Sequence, residues 1–139
     1  MRKKNKKINQ GQVIIPTGQP KPPEPHEVDA AWILARHYSC TVVFLIPVDD
    51  YKRKTPDIVM QGLEWEIKSP TGNSKNTIDR QLKRAVKQSK NLVFDGRRTA
   101  LSDSDIEKIV ALEMTKRGSI RKVIFITKLG GVVEIEPEE

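Results

Sequence analysis

Two carboxylates and one lysine near the middle of the chain could share a chemical task. Asp57 follows Pro56, and Glu66 stands two residues before Lys68. Carboxylate oxygens are the ligands that hard divalent cations prefer, and a lysine beside them can take part in proton transfer. Gathered around one point, these groups would hold a divalent metal and the water that it activates. The alternative is a solvated strand face, on which such charges are ordinary.

The elements that must position these groups are two strands within residues 55–68. A polar–Gly pair at residues 61 and 62, between two β-rich runs, predicts a two-residue hairpin turn. Counting outward places Asp57 opposite Glu66, with Cβ atoms about 5 Å apart, where like charges repel unless a cation lies between them. Lys68 lies on the same face, about 7 Å further along the strand. The opposite face is apolar and holds Ile58, Met60, Leu63, Trp65 and Ile67. This opposition of acids favours a site over a solvated face.

A buried helix is predicted at residues 26–38, after Pro25, because apolar side chains occupy most of its circumference. Glu27 lies within that apolar arc. Its carboxylate either complements the positive end of the helix dipole or turns toward the metal site.

A second helix, predicted at residues 76–90, is strongly basic and has a narrow apolar stripe. Beside the stripe lie Gln81, Arg84 and Gln88, which could reach the hairpin, and a positive group there would compensate charge in a phosphoryl transition state. Arg53 and Lys54 stand just before Asp57 and could also meet phosphates. The remaining lysines of the helix are expected on its solvated face.

Composition indicates one domain behind an unstructured leader. The chain has 139 residues, and residues 1–25 are polar and contain five prolines, so the expected domain is 26–139. Residues 1–10 carry five of the 25 Lys and Arg residues and no acid, so a net charge of +7 falls to +2 without them. Such a tail either adds phosphate contacts or only aids solubility.

The chain shows no signal peptide, and no stretch approaches the roughly 18 apolar residues of a membrane span. The single cysteine, Cys40, excludes an internal disulfide and fits a cytoplasmic location. The element order is helix, strand, hairpin, helix, strand, helix, hairpin. This order predicts an α/β or α+β fold with a mixed central sheet flanked by helices.

Pro56-Asp57 followed by Glu66-Ile67-Lys68 resembles the PD-(D/E)XK nuclease motif. The wider run from Lys54 to Phe94 is similar to the C-terminal tRNase domains of contact-dependent growth inhibition toxins of the CdiA type. The matching segments are Thr55-Pro56-Asp57-Ile58, Trp65-Glu66-Ile67-Lys68-Ser69, Asn76-Thr77-Ile78 and Gln81 to Gln88. The similarity continues more weakly from Pro25 to the C-terminus.

The resemblance implies a restriction-endonuclease-like core and a divalent ion, Mg²⁺ first, with Mn²⁺ or Zn²⁺ as alternatives. Its ligands would be Asp57, Glu66, the carbonyl of Ile67 and Glu27, directly or through water. Lys68 would orient or help to deprotonate the attacking water. The implied activity is hydrolysis of phosphodiester bonds in tRNA.

Two rival functions stay open on the sequence. One is a DNA endonuclease of the same fold, and the other is a non-catalytic nucleic-acid-binding module. A toxin would have a cognate immunity protein as partner and would be secreted cargo. Because the chain starts with Met and holds no large delivery region, a stand-alone bacterial, phage or mobile-element enzyme is the alternative.

Overall fold

The computed structural model describes residues 10–47, 55–85 and 89–137. Within them lie three helices and seven strands. In chain order these are β1 (Gln12–Ile14), α1 (Pro25–Tyr38), β2 (Thr41–Phe44), β3 (Ile58–Met60), β4 (Leu63–Lys68), α2 (Lys75–Ala85), β5 (Asn91–Asp95), α3 (Asp103–Lys116), β6 (Lys122–Ile126) and β7 (Val132–Ile135). None of the described helices is long and apolar enough to cross a membrane.

The strands form one mixed sheet in which the spatial order follows the chain order, β1 to β7. The pairs β1–β2, β4–β5 and β5–β6 are parallel, whereas β2–β3, β3–β4 and β6–β7 are antiparallel. The parallel strands β4, β5 and β6 therefore end at the same edge of the sheet. Loops beyond the carboxyl ends of such strands are where α/β proteins place their ligands.

Helices cover both faces of the sheet. On one face, α1 buries a row of small and branched side chains against β2, β3 and β4; its buried residues are Ala30, Ala31, Leu34 and Ala35. On the other face, α2 and α3 pack on β5 and β6. Arg117 ties the two helices together, because its Nη2 donates to Asp79 Oδ1 at 2.7 Å. The predicted mixed sheet flanked by helices is confirmed.

The N-terminal strand corrects the expectation that residues 1–25 are unstructured. Gln12–Ile14 pairs with Thr41–Val43, and Val13 packs against the core under α1. Gly11 permits this approach: it has a φ of 91°, and a Cβ there would lie 2.5 Å from the carbonyl oxygen of Ala35. A short apolar run therefore gains order from a parallel neighbour distant in sequence. Residues 1–9 lie outside the described part of the chain.

Two predicted helices have the expected positions with shifted ends. The helix predicted at 26–38 is α1, with Pro25 as its first residue. The helix predicted at 76–90 is α2, Lys75–Ala85, and residues 86–88 lie outside the described residues.

Candidate functional site

The hairpin that positions the carboxylates has the predicted turn and register. Gln61 and Gly62 both have positive φ, 54° and 78°, as a two-residue type I′ turn requires. Met60 then pairs with Leu63 and Ile58 with Trp65. Because side chains alternate along a strand, this register fixes the face of β4 on which Glu66 lies.

Asp57 lies just before β3 and is held from three directions. Its N–H donates to the carbonyl of Trp65 at 3.0 Å, and its own carbonyl accepts from the N–H of Leu45 at 2.9 Å. Its carboxylate oxygen Oδ2 accepts from the N–H of Ile67 at 2.7 Å. The carboxylate is therefore fixed just before the start of β3, against the backbone of β4 at Ile67 and next to Glu66.

Glu66 is a buried carboxylate, with only 3% of the residue exposed. Burial raises its pKa to about 8, and the negative charge of Asp57 adds to the rise. Lys68 Nζ lies 3.1 Å from Oε2 and opposes that rise. The second oxygen, Oε1, is buried and accepts no hydrogen bond from an N–H or hydroxyl group of the described residues. The carboxyl groups of Glu66 and Asp57 share a hydrogen bond, which raises the pKa of Glu66 and lowers that of Asp57. Without a cation, a proton on Glu66 therefore bridges the two acids, and a bound cation would take the place of that proton.

The two carboxylates influence each other because both are shielded from water. Burial is also the largest cause that raises the pKa of Asp57, while the N–H of Ile67 lowers it and the charge of Glu27 raises it. Two such acids side by side disfavour ionisation of the pair in the absence of a cation.

These residues fit a divalent cation. In an extended strand the N–H and C=O of one residue point to the same side. The carbonyl of Ile67 therefore points toward Asp57, as its N–H does. Among the described residues no three His, Cys, Asp or Glu side chains are grouped to hold a metal. Mg²⁺ commonly uses one or two carboxylates and completes its shell with water and substrate oxygens, which matches this donor set.

Glu27 takes the structural role that the sequence also allowed. Its Oε1 accepts from the backbone N–H of Glu24 at 3.0 Å, as part of a capping box at the start of α1. Its charge still reaches Asp57, whose pKa it raises. Glu27 thus borders the site, and a role as a metal ligand stays a prediction.

The predicted nucleic-acid contacts are only partly described. Gln81 is partly buried and Arg84 is exposed on α2. Within the described part of the chain, no hydrogen bond or ion pair joins either side chain to the carboxylate pair. Arg53, Lys54 and Gln88 lie outside the described residues.

An ion pair that the sequence reading missed lies at the end of β5. Asp95 is fully buried, and Arg97 donates to both of its carboxylate oxygens, from Nε at 2.9 Å and from Nη2 at 2.8 Å. Ser69 also donates to Asp95, at 3.2 Å, and Arg97 Nη2 donates to the carbonyl of His26 at 3.0 Å. The network ties the end of β4 and the start of α1 to β5. Its signal in the sequence was an acid ending an apolar strand, with arginines two and three residues later.

The chain is similar in sequence to one known protein family. The profile of the Contact-dependent growth inhibition CdiA C-terminal domain family matches residues 54–132, more than half of the chain. The chain belongs to this family. No curated protein matches it.

The fold has a solved counterpart, a CdiA-CT/CdiI toxin and immunity complex from Burkholderia pseudomallei. The TM-score is 0.68 at 23% sequence identity, and the match covers 91% of this chain and 100% of the other. At that identity the likeness shows a shared fold. The predicted resemblance to CdiA-type C-terminal domains is thereby confirmed at the level of the family.

The matched residues separate two parts of this CdiA C-terminal domain. They include Asp57, Glu66 and Lys68 and the Asp95–Arg97 pair, and they exclude α1 with Glu27. The carboxylate pair therefore belongs to the part that this chain shares with its family.

Proposed function

We propose that this CdiA C-terminal domain is a metal-dependent nuclease of the PD-(D/E)XK type that cleaves tRNA. The observation that supports the proposal most is the placement of the half-buried Asp57 beside the buried Glu66, with Lys68 against Glu66. Two acids side by side and shielded from water cost free energy unless a shared proton or a cation compensates their charge, and the donor set here fits a divalent cation.

Each residue has a defined role in the proposed reaction. Asp57, Glu66 and the carbonyl of Ile67 hold the divalent ion, Mg²⁺ first. When bound, that ion supplies charge stabilisation to the phosphoryl group and lowers the pKa of water. Lys68 lies at the partly exposed end of the pair, with 18% of its side chain accessible. Its ammonium donates to the substrate phosphate or exchanges a proton with the attacking water.

The second part of the proposal concerns biological context. The structural counterpart is a complex of a toxin with its immunity protein. We place this chain in the same role, a toxin whose activity a cognate immunity protein blocks. The substrate, tRNA, rests on the resemblance of residues 54–94 to CdiA-type tRNase domains.

One incubation separates the functions that the sequence left open. Purified protein is mixed with total tRNA and with plasmid DNA, in Mg²⁺, Mn²⁺ or EDTA, and the products are resolved on denaturing gels. The proposal expects discrete tRNA fragments with either metal and none with EDTA. Cleavage of plasmid alone would show that the protein is a DNA endonuclease rather than a tRNase. If neither substrate is cleaved, the protein would be a non-catalytic nucleic-acid-binding module.

A further inference from the structure

A groove opens beside Asp57, between the segment that precedes α1 and the end of β2. Its volume is about 280 Å³, and Asp57 forms part of its wall. Cavities of about 320 and 440 Å³ lie elsewhere in the described residues and have neither Asp57 nor Glu66 among their walls. This groove is therefore a concave surface that adjoins the candidate site at Asp57.

The walls of the groove combine flat apolar surface with a few polar groups. Pro22, Pro23 and Leu45 supply apolar walls, and Gln19 and Lys21 supply an amide and an ammonium group. Such a mixture is typical of small-ligand sites, in which apolar walls hold a ring and few polar groups orient it. The prolines belong to the segment that the sequence analysis treated as leader.

The size of the groove limits what it can hold. At about 280 Å³ the groove lies at the lower limit of ligand pockets, which start at roughly 300 Å³, so it has room for at most one nucleoside and not for a base pair. Glu27 also lines it, and one of its oxygens already accepts from Glu24. A carboxylate can accept several hydrogen bonds, so Glu27 can also accept one from the exocyclic amino group of a base.

We propose that this groove binds the unpaired nucleoside that adjoins the scissile phosphate. The inference rests on the proposed nuclease function. Asp57 belongs to both the groove and the carboxylate pair, so a phosphodiester held at the pair places an attached nucleoside at the mouth of the groove. The preferred substrate is then a loop, bulge or single-stranded end, whose bases can be splayed out, rather than a continuous duplex.

The first test fills the groove without touching the carboxylates. Leu45→Trp places a large ring in it, while the backbone N–H that donates to Asp57 is retained. Ile46→Trp is the matched control, because Ile46 is the next residue, 52% exposed and outside the groove. Leu45→Trp should raise KM for a single-stranded oligonucleotide by about 10-fold or more, with kcat little changed, as expected for lost ground-state binding. Equal KM values for the two variants would overturn the inference.

A second pair of variants tests the groove with smaller changes, in case Leu45→Trp disturbs folding. Lys21→Ala removes the cation of the groove, and Lys90→Ala removes an exposed lysine at the opposite edge of the sheet. Lys21→Ala should raise KM about 3-fold, and Lys90→Ala should leave it unchanged. Identical effects of the two changes would count against the groove.

A binding measurement keeps this inference separate from the nuclease function. Isotope-labelled parent protein is titrated with cytidine 5′-monophosphate, and with inorganic phosphate as the control, while amide shifts are followed by NMR. The nucleotide, and not phosphate, should shift the amide signals of Gln19, Lys21, Glu24 and Leu45, and Leu45→Trp should abolish these shifts. Absence of these shifts in the parent would overturn the groove site even if the protein cleaves RNA. Absence of any cleavage, with the shifts present, would overturn the nuclease function alone.

Discussion

The burial of Glu66 predicts a specific pH dependence of stability in metal-free buffer. Its pKa is about 8 in the folded protein, against 4.5 for an unperturbed glutamate. Between these two values the folded state holds a proton that the unfolded state has released. The free energy of unfolding must therefore fall as pH rises through this window.

The size of the fall follows from the pKa difference. One pKa unit corresponds to about 1.4 kcal/mol, so a rise from 4.5 to about 8 gives a total loss of roughly 5 kcal/mol. About 3 kcal/mol of this is lost by pH 7 and the remainder by slightly above pH 8. Below pH 4.5 Glu66 is protonated in both the folded and the unfolded state, so none of this free energy of unfolding is lost there.

Glu66→Gln removes the titration and keeps the shape of the side chain. The variant should match the parent near pH 4.5 and exceed it by about 3 kcal/mol at pH 7, because a neutral amide carries no buried charge. Glu64→Gln is the control: Glu64 is exposed and lies on the same strand and face. It should leave the pH profile of the parent unchanged.

Urea unfolding in EDTA, followed by circular dichroism from pH 4.5 to 8.5, measures these free energies. A Glu66→Gln curve that runs parallel to the parent curve would show that Glu66 does not cause the pH dependence. It would mean that Glu66 is ionised in the folded protein at neutral pH, without the cost that its burial implies.

Lys68, β1 and the Asp95–Arg97 pair can each be tested by separate variants. Lys68→Met should lower single-turnover cleavage by roughly 100-fold or more while calorimetric Mn²⁺ affinity changes only a few fold, and Lys68→Arg should not rescue it, because arginine does not release its proton. Deleting residues 1–16 removes β1 and the contact of Val13 with the core, so the melting temperature should fall by about 5 °C in calorimetry. Arg97→Met leaves Asp95 buried without its partner and should cost about 3–5 kcal/mol in urea unfolding. The double change Asp95→Asn with Arg97→Met should recover part of that loss.

The hairpin shows what local sequence information can determine. Gln61-Gly62 specifies a tight turn, and period-two alternation then assigns every side chain of β3 and β4 to a face. The opposition of Asp57 and Glu66 follows by counting. Neither step depends on the rest of the chain, so the turn and the pairing of β3 with β4 were predictable, whereas the use of the carboxylates as a metal site stays a prediction.

Other features depend on partners far away in sequence. β1 is ordered by a parallel strand 29 residues later, in a chain segment whose composition suggests no structure. The Asp95–Arg97 pair is buried because β4, β5 and α1 converge on it, as its contacts with Ser69 and the carbonyl of His26 show. Composition and periodicity describe one segment at a time and do not report such convergence.

Glu27 illustrates a choice that sequence alone leaves open. A glutamate in the first turn of a helix can cap that helix or face a site, and both uses place it at the same position. The structure gives it the cap, with its Oε1 accepting from Glu24. Its place beside the groove and its influence on the pKa of Asp57 follow from where α1 packs, which only the tertiary fold shows.

Metal binding and cleavage by the Asp57–Glu66 pair can be measured together in one set of samples. Parent protein and Asp57→Ala are titrated with Mn²⁺ by calorimetry, and the same samples are then mixed with end-labelled tRNA. We expect the parent to bind Mn²⁺ and cleave tRNA, and the variant to remain folded but do neither. Cleavage at the parental rate by Asp57→Ala, or by the parent in EDTA, would contradict the account.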